Sequence, residues 1–270
     1  MRQFISEINP DKDGYLVLTG KDFKYFRQVL RIKVGDMVSV RLPSGILQNM
    51  TACEIDDKEK KLLLQICADT DIDFMEKELT RGVKASELDK PLRTEYWLFQ
   101  FLPKIQKFEM IVRQAVECGV SVVVPVIGEF TEKSAVIAME NPAKIERLNK
   151  IIREARQQSG SPVETKLYMP VSLPDACKIW KERIFGEESA AFVLTERDEK
   201  TKAMSSILAK RKIDVAAIAC GCEGGLSSDE LGKITLDELF VPVHFEGNIL
   251  RCETAALYGM AALQVINSKG

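Results

Sequence analysis

The apolar positions change rhythm about a third of the way along this chain. Up to residue 67 they form short runs rich in Val, Ile, Leu and Thr: YLVLTG (15–20), MVSVRL (37–42), ILQNMTACEI (46–55) and KLLLQIC (61–67). The turn signals VGD, PSG and DDKEKK separate them. Short strands at that spacing predict a small β-barrel or sandwich. One segment, GKDFKYFRQVLRIK (20–33), reads instead as a helix. Residues 69–93 are polar and highly charged, the composition of a linker with room for a short helix of its own.

From residue 94 apolar strands alternate with helices. TEYWLFQFL (94–102), VSVVVPVI (120–127), AAFVLTE (190–196), VAAIACG (215–221) and FVPVHF (240–245) read as strands. KFEMIVRQAVECG (107–119), NPAKIERLNKIIREARQQSG (141–160), KAMSSILAKR (202–211), SSDELGKI (227–234) and ETAALYGMAALQVIN (253–267) read as helices. Gly119 and Gly160 fall near helix ends and Pro142 near a start. No element is assigned between 161 and 189. The alternation implies an α/β domain with a mainly parallel sheet covered on both faces. The chain then divides into a β-domain over 1–70, a linker or insertion over 71–93 and an α/β domain over 94–270. Ligands in such sheets bind beyond the carboxyl ends of the strands, where Thr195, Glu196 and Gly221–Gly225 lie.

Composition narrows the class. The 270 residues are 46% apolar and 29% charged, those of an ordinary soluble globular protein. No window reaches the roughly 18 or more consecutive apolar residues of a membrane span. The first residues turn polar at once, unlike a secretory signal. Seven scattered cysteines with no CxxC pair argue against a disulfide framework or a metal site and for a reducing cytoplasm. Net charge is −2, but two stretches are locally basic. Residues 1–42 hold eight basic against five acidic residues, and residues 144–160 hold five against two. Each is a solvated face or a nucleic-acid contact.

Two stretches carry candidate chemistry. In CGCEGGLSSDEL (220–231), Ser227 and Glu230 have capping-box spacing, so a helix starts there after a glycine-rich turn. Such a turn exposes backbone N–H groups and allows close approach of a ligand. Neither the dinucleotide fingerprint nor the phosphate loop is present, and no Lys or Arg stands in the turn. Glu223 stands there instead, which suits a cationic or neutral ligand better than a phosphate; a plain structural turn fits equally. In NILRCETAALYGMAALQVI (248–266), Arg251 and Glu253 sit where a loop meets a helix dense in small residues. A buried core helix explains the small residues, with Arg251 free to point into a site. The lone histidine, His244, beside an apolar strand, reads as structural.

Five segments in order, FRQVLRIKVGD, LPKIQKFEMIVRQAVECGVSVVVPV, REARQQSG, CGCEGGLSSDEL and ILRCETAALYG, resemble the motifs of the RsmE-like 16S rRNA uridine-N3 methyltransferases of the SPOUT class. The resemblance implies a PUA-like β-barrel followed by a knotted α/β methyltransferase domain, S-adenosylmethionine as cofactor, and a cytoplasmic homodimer acting on N3 of a uridine in 16S rRNA of the small ribosomal subunit. It implies that Leu194, Thr195, Glu196, Gly221, Glu223, Gly224, Gly225, Ile249, Leu250 and Thr254 hold the cofactor. Arg251 and Glu253 are the candidate catalytic residues, with Glu253 expected to orient Arg251 by a charge-assisted hydrogen bond. A cation about 4 Å from a developing anion contributes roughly 4 kcal/mol at an effective dielectric of about 20, or about three pKa units. Arg251 would thereby favour loss of the uridine N3 proton without a strong dedicated base. Lys24, Tyr25, Arg27 and Arg31, with Lys104, Lys107, Arg153 and Arg156, are the expected RNA contacts.

The chain departs from that family at several points. Tyr25 and Phe26 stand where a histidine is usual, Ser161 where an arginine is, Cys222 where a proline is and Leu226 where a phenylalanine is. Residues 69–93 also exceed the usual link. The first two changes bear on RNA and leave the cofactor framework. Three alternatives follow: a related methyltransferase with an altered RNA target, an RNA-binding paralogue without turnover, and an α/β enzyme using another nucleotide.

Overall fold

The computed structural model describes residues 3–67, 94–196, 201–208, 212–246 and 248–268. Contacts divide the chain into two compact units: Met1–Lys90 with Gln157–Pro162, and Pro91–Arg156 with Val163–Gly270. The α/β domain read as continuous over 94–270 therefore gives up six residues to the first unit. Ser161, buried, is among them. The linker read over 69–93 lies outside the described residues.

In the first unit, β1 (Gln3–Ile5), β2 (Tyr15–Leu18), β3 (Met37–Arg41), β4 (Leu47–Asp56) and β5 (Lys61–Ile66) form one curled sheet in the order β1-β3-β4-β5-β2. β1 runs parallel to β3, and the other neighbours are antiparallel. A single sheet replaces the sandwich alternative. α1 (Gly20–Lys24) runs straight into a π-helical stretch, Tyr25–Leu30, which stops at Arg31 in the left-handed conformation (φ 56°). Phe23 and Phe26 from this segment are buried with Phe4, Leu16, Met50 and Leu64. Its apolar residues thus complete the core, while Lys24 and Arg31 stay exposed.

The second unit holds a parallel sheet of seven strands. They are β6 (Glu95–Phe101), β7 (Val122–Ile127), β8 (Lys166–Leu167), β9 (Val171–Ser172), β10 (Ser189–Leu194), β11 (Val215–Cys220) and β12 (Val241–Val243). The order is β12-β10-β11-β6-β7-β8, with β9 also paired to β7. Helices α2 (Ile105–Glu117), α3 (Lys133–Glu140), α4 (Pro142–Ser159), α5 (Leu173–Arg183), α6 (Met204–Leu208), α7 (Ser228–Ile234) and α8 (Cys252–Asn267) accompany it.

Strand alternation feeds two cores. Tyr96, Leu98, Ala216 and Ile218 join one cluster with Phe108, Ile111, Leu148 and Ala256 from the helices. Trp97, Phe99, Phe101, Ala217 and Ala219 join the other, with Trp180 and Phe240. This is why the central strands read as continuous apolar runs. The small residues of α8 have a visible use: a Cβ on Gly259 would lie 2.8 Å from Leu194 Cδ1. The helix is therefore pressed against the strand that leads to the site.

Candidate functional site

Three neighbouring strands, β12, β10 and β11, end at one cavity of about 530 Å³, within the range of small-molecule sites. The loop after β10 contributes Leu194, Thr195 and Glu196, and the loop after β11 contributes Gly221 to Leu226. The segment Asn248–Cys252, before α8, closes the third side. Cys220, Phe245, Leu231, Ala255 and Lys107 complete the lining.

The glycine-rich turn has a separate reason for each glycine. Gly225 N–H donates to Cys222 O at 3.0 Å, closing the turn, and Gly225 itself sits at φ 73°. That left-handed conformation favours glycine. A Cβ on Gly221 would come within 2.7 Å of Gly225 backbone, and one on Gly224 within 2.8 Å of Phe130 Cβ. The turn is thus packed on both sides. Cys222, in place of the usual proline, is buried in the aromatic core.

Two buried polar side chains hold this turn: Gln100, which the sequence does not single out, and Glu230, expected only as a helix cap. Gln100, at the end of β6, donates from Nε2 to the carbonyls of Phe101, Cys220 and Gly221 at 2.9, 3.2 and 3.0 Å. Glu230 completes the capping box expected from Ser227, accepting from Ser227 N–H at 2.8 Å. Its other oxygen accepts from Glu129 N–H at 2.7 Å, which fixes the turn after β7. Phe130, in that turn, is the residue against which Gly224 packs.

The site's charges are arranged differently from the sequence expectation. Glu253 does not orient Arg251. It pairs with Lys107 at 3.4 Å and accepts from the Cys252 thiol at 3.2 Å. Partial burial works against the Glu253 charge. Its own backbone N–H, the Cys252 thiol and Lys107 outweigh this and hold its carboxyl below the ordinary range. Burial pushes the Cys252 thiol up to about 12, helped by Glu253 and Glu223. Arg251 lines the cavity with an exposed side chain that makes no ion pair or hydrogen bond among the described residues.

Nine of the ten residues expected at the cofactor line this cavity. Thr254 does not: it is exposed on the first turn of α8, where its N–H donates to Arg251 O. His244 is also outside the lining, exposed and hydrogen-bonded to Thr201. The expected RNA contacts differ in their surroundings. In the first unit, Lys24 and Arg31 are exposed, but Arg27 is held by both oxygens of Asp57 at 2.9 and 2.8 Å. Tyr25 is half-buried, stacked on Phe4 and edge-on to Phe26, so its ring belongs to the core. In the second unit, Lys104 is exposed and pairs with Glu132 at 3.2 Å. Lys107 lines the cavity. Arg153 is half-buried on α4. Arg156 is buried and lies 3.6 Å from Glu164, which removes it from the exposed surface a phosphate would meet.

A lined cavity beyond the carboxyl ends of parallel strands is where α/β proteins bind small-molecule ligands. A family model described as the RNA methyltransferase domain matches residues 90–264. The ribosomal RNA small subunit methyltransferase E of Synechocystis is 27% identical over 254 residues, covering 94% of this chain and 74% of that one. Its counterpart in Buchnera aphidicola is 24% identical over 259 residues, covering 95% and 90%. A crystal structure of ribosomal RNA small subunit methyltransferase E from Neisseria gonorrhoeae, bound to S-adenosyl methionine, has the same fold: TM-score 0.74, 18% identity, 98% of each chain. The chain belongs to the RNA methyltransferase family, as an RsmE-like member of the SPOUT class. It is accordingly an RNA methyltransferase by family. Among the described residues no helix is long and apolar enough to cross a membrane.

Proposed function

We propose that the cavity at the ends of β10, β11 and β12 binds S-adenosylmethionine and that the protein methylates N3 of a uridine in 16S rRNA of the small ribosomal subunit. The observation that carries the cofactor assignment is the chemistry of the lining. Leu194, Leu226, Ile249, Leu250 and Ala255 give apolar walls, and Glu196 and Glu223 give carboxylates. The cations are Lys107, paired with two carboxylates, and Arg251 at the exposed edge. Among the described residues no cluster of free cations awaits a polyphosphate, whereas a cationic, phosphate-free ligand meets complementary groups.

S-adenosylmethionine supplies an electrophilic methyl group when bound. The chain's own part is to position and to stabilise charge. The packed glycine turn and the Asn248–Cys252 segment orient the ligand between them. Thr195, Glu196 and Leu194 form the wall above β10. Arg251 faces the open side and stabilises the anion left when the uridine N3 proton departs, so that a weak base suffices. The RNA is held by phosphate contacts from Lys24 and Arg31 and from Lys104 and Arg153, which makes affinity fall steeply with salt. In this reading the first unit is a PUA-like barrel, the second is knotted, and the protein is a cytoplasmic homodimer.

One observation favours a second target nucleotide. Tyr25, at the usual histidine position, spends its ring on Phe4 and Phe26, and Ser161, at a usual arginine position, is buried. Two RNA-facing groups of the family are therefore replaced by groups that face inward. Isothermal titration tests the cofactor assignment: S-adenosylmethionine binds to the protein and ATP does not. Equal affinity for ATP would refute it.

A further inference from the structure

Lys107 stands in the first turn of α2, yet its contacts belong to the two loops of the cavity. Its Nζ lies 3.4 Å from Glu223 Oε1 in the glycine-rich turn and 3.4 Å from Glu253 Oε2 in the first turn of α8. The same Glu223 oxygen accepts from the Lys104 N–H at 3.3 Å, so both ends of this connection are tied to the start of α2. One ammonium thus stands between two carboxylates that would otherwise face each other. Burial leaves Glu253 little water to screen its charge, its side chain being only 13% exposed. Partial burial also opposes the Lys107 charge, but Cys252, Glu223 and Glu253 outweigh it and hold the pKa above the ordinary lysine value. A lysine kept protonated in this way is a structural cation and a poor proton acceptor.

We infer that Lys107 is a positioning residue: a cationic latch that holds the glycine-rich turn and the start of α8 at the separation the cofactor requires. This rests on the assignment of the cavity to S-adenosylmethionine and adds a residue to it that touches the walls and acts through them. It also gives Lys107 a role other than contact with RNA phosphate. The physical core is repulsion. Removing the cation leaves Glu223 and Glu253 uncompensated, and the cheapest relief is for the two loops to separate.

The test is a cycle of substitutions read by calorimetric binding of S-adenosylmethionine and by steady-state methylation. Lys107→Met keeps the length and loses the charge; the dissociation constant should rise about tenfold, in the range of coupled neighbouring groups. The KM for the cofactor should rise with it, while kcat at saturating cofactor changes much less. Lys107→Arg should recover most of the affinity. Adding Glu253→Gln to Lys107→Met should also recover affinity, because the repulsion is gone. Affinity unchanged in Lys107→Met, or no recovery in the double variant, overturns the latch. Loss of RNA affinity with cofactor affinity intact overturns it too. Failure of the wild-type protein to bind S-adenosylmethionine refutes the cofactor assignment instead. The latch is then judged by amide hydrogen exchange in the ligand-free protein, where faster exchange in both 221–225 and 250–254 of Lys107→Met supports it and unchanged exchange overturns it.

Discussion

Glu230 accepts the backbone N–H of Glu129 at 2.7 Å, joining the helix that follows the glycine-rich turn to the turn that follows β7. The same carboxylate caps its own helix through Ser227. Both N–H groups lose their partner in Glu230→Ala. Each lost cap or buried hydrogen bond costs about 1 kcal/mol or more. Urea denaturation should therefore show a loss of about 2–3 kcal/mol. Glu230→Gln, which keeps one acceptor oxygen, should lose about half as much. A loss below about 0.5 kcal/mol in Glu230→Ala, the scale of an ordinary surface change, would mean that this clamp does not hold the turn.

The contact between Gly224 and Phe130 gives a second prediction. A methyl group at residue 224 meets Phe130 Cβ at 2.8 Å, so Gly224→Ala must displace the turn or the ring. Overpacking of this kind costs about 1–3 kcal/mol. Cofactor affinity should fall about tenfold, the equivalent of roughly 1.4 kcal/mol. Phe130→Gly in the same chain, which removes Cβ as well as the ring, should restore much of it. No recovery would indicate that Gly224 serves the ligand directly.

Much of this was legible in the sequence. The alternation after residue 94 marks β6, β7, β10, β11 and β12, and the Ser227–Glu230 spacing marks the start of α7. Short elements were not: β1 has three residues and β8 and β9 two each. α5 was legible, since Leu173, Ala176 and Trp180 recur at helical spacing. The π-helical stretch Tyr25–Leu30 is invisible because its apolar spacing reads as an ordinary helix. At the site, the residues on the loops themselves were legible, since glycines, Glu223 and Arg251 are local signals. The partners of Lys107, Gln100 and Glu230 were not, because strand order brings them together from distant segments. The pairing of Glu253 with Lys107, in place of Arg251, belongs to that second group.

Alkaline pH should destabilise the protein through its buried thiols. Burial raises Cys252 to about 12 and raises Cys220 further. In the unfolded chain both lose their proton at about 8.5. The folded state therefore binds more protons above that value, and stability falls as pH rises. Thermal unfolding under reducing conditions should show Tm dropping between about pH 8.5 and 11. Cys252→Ser should flatten that drop. Identical slopes in the two proteins would remove Cys252 from the account.

Arg251 has no carboxylate partner among the described residues and lies at the cavity edge. If it stabilises charge on the acceptor, Arg251→Ala should lower kcat for methylation by about two orders of magnitude, corresponding to roughly 3 kcal/mol. Cofactor affinity should change little, and Arg251→Lys should be intermediate. A kcat within about threefold of wild type, less than roughly 0.7 kcal/mol, would rule the role out.

The most direct measurement is transfer itself. The protein is incubated with methyl-labelled S-adenosylmethionine and with free or assembled small ribosomal subunits that lack the modification, and the labelled nucleotide is mapped by nuclease digestion and mass spectrometry. Label on N3 of a uridine in 16S rRNA is the predicted result. Label on any other nucleotide or atom, or cofactor bound without transfer to either form of the RNA, would contradict it.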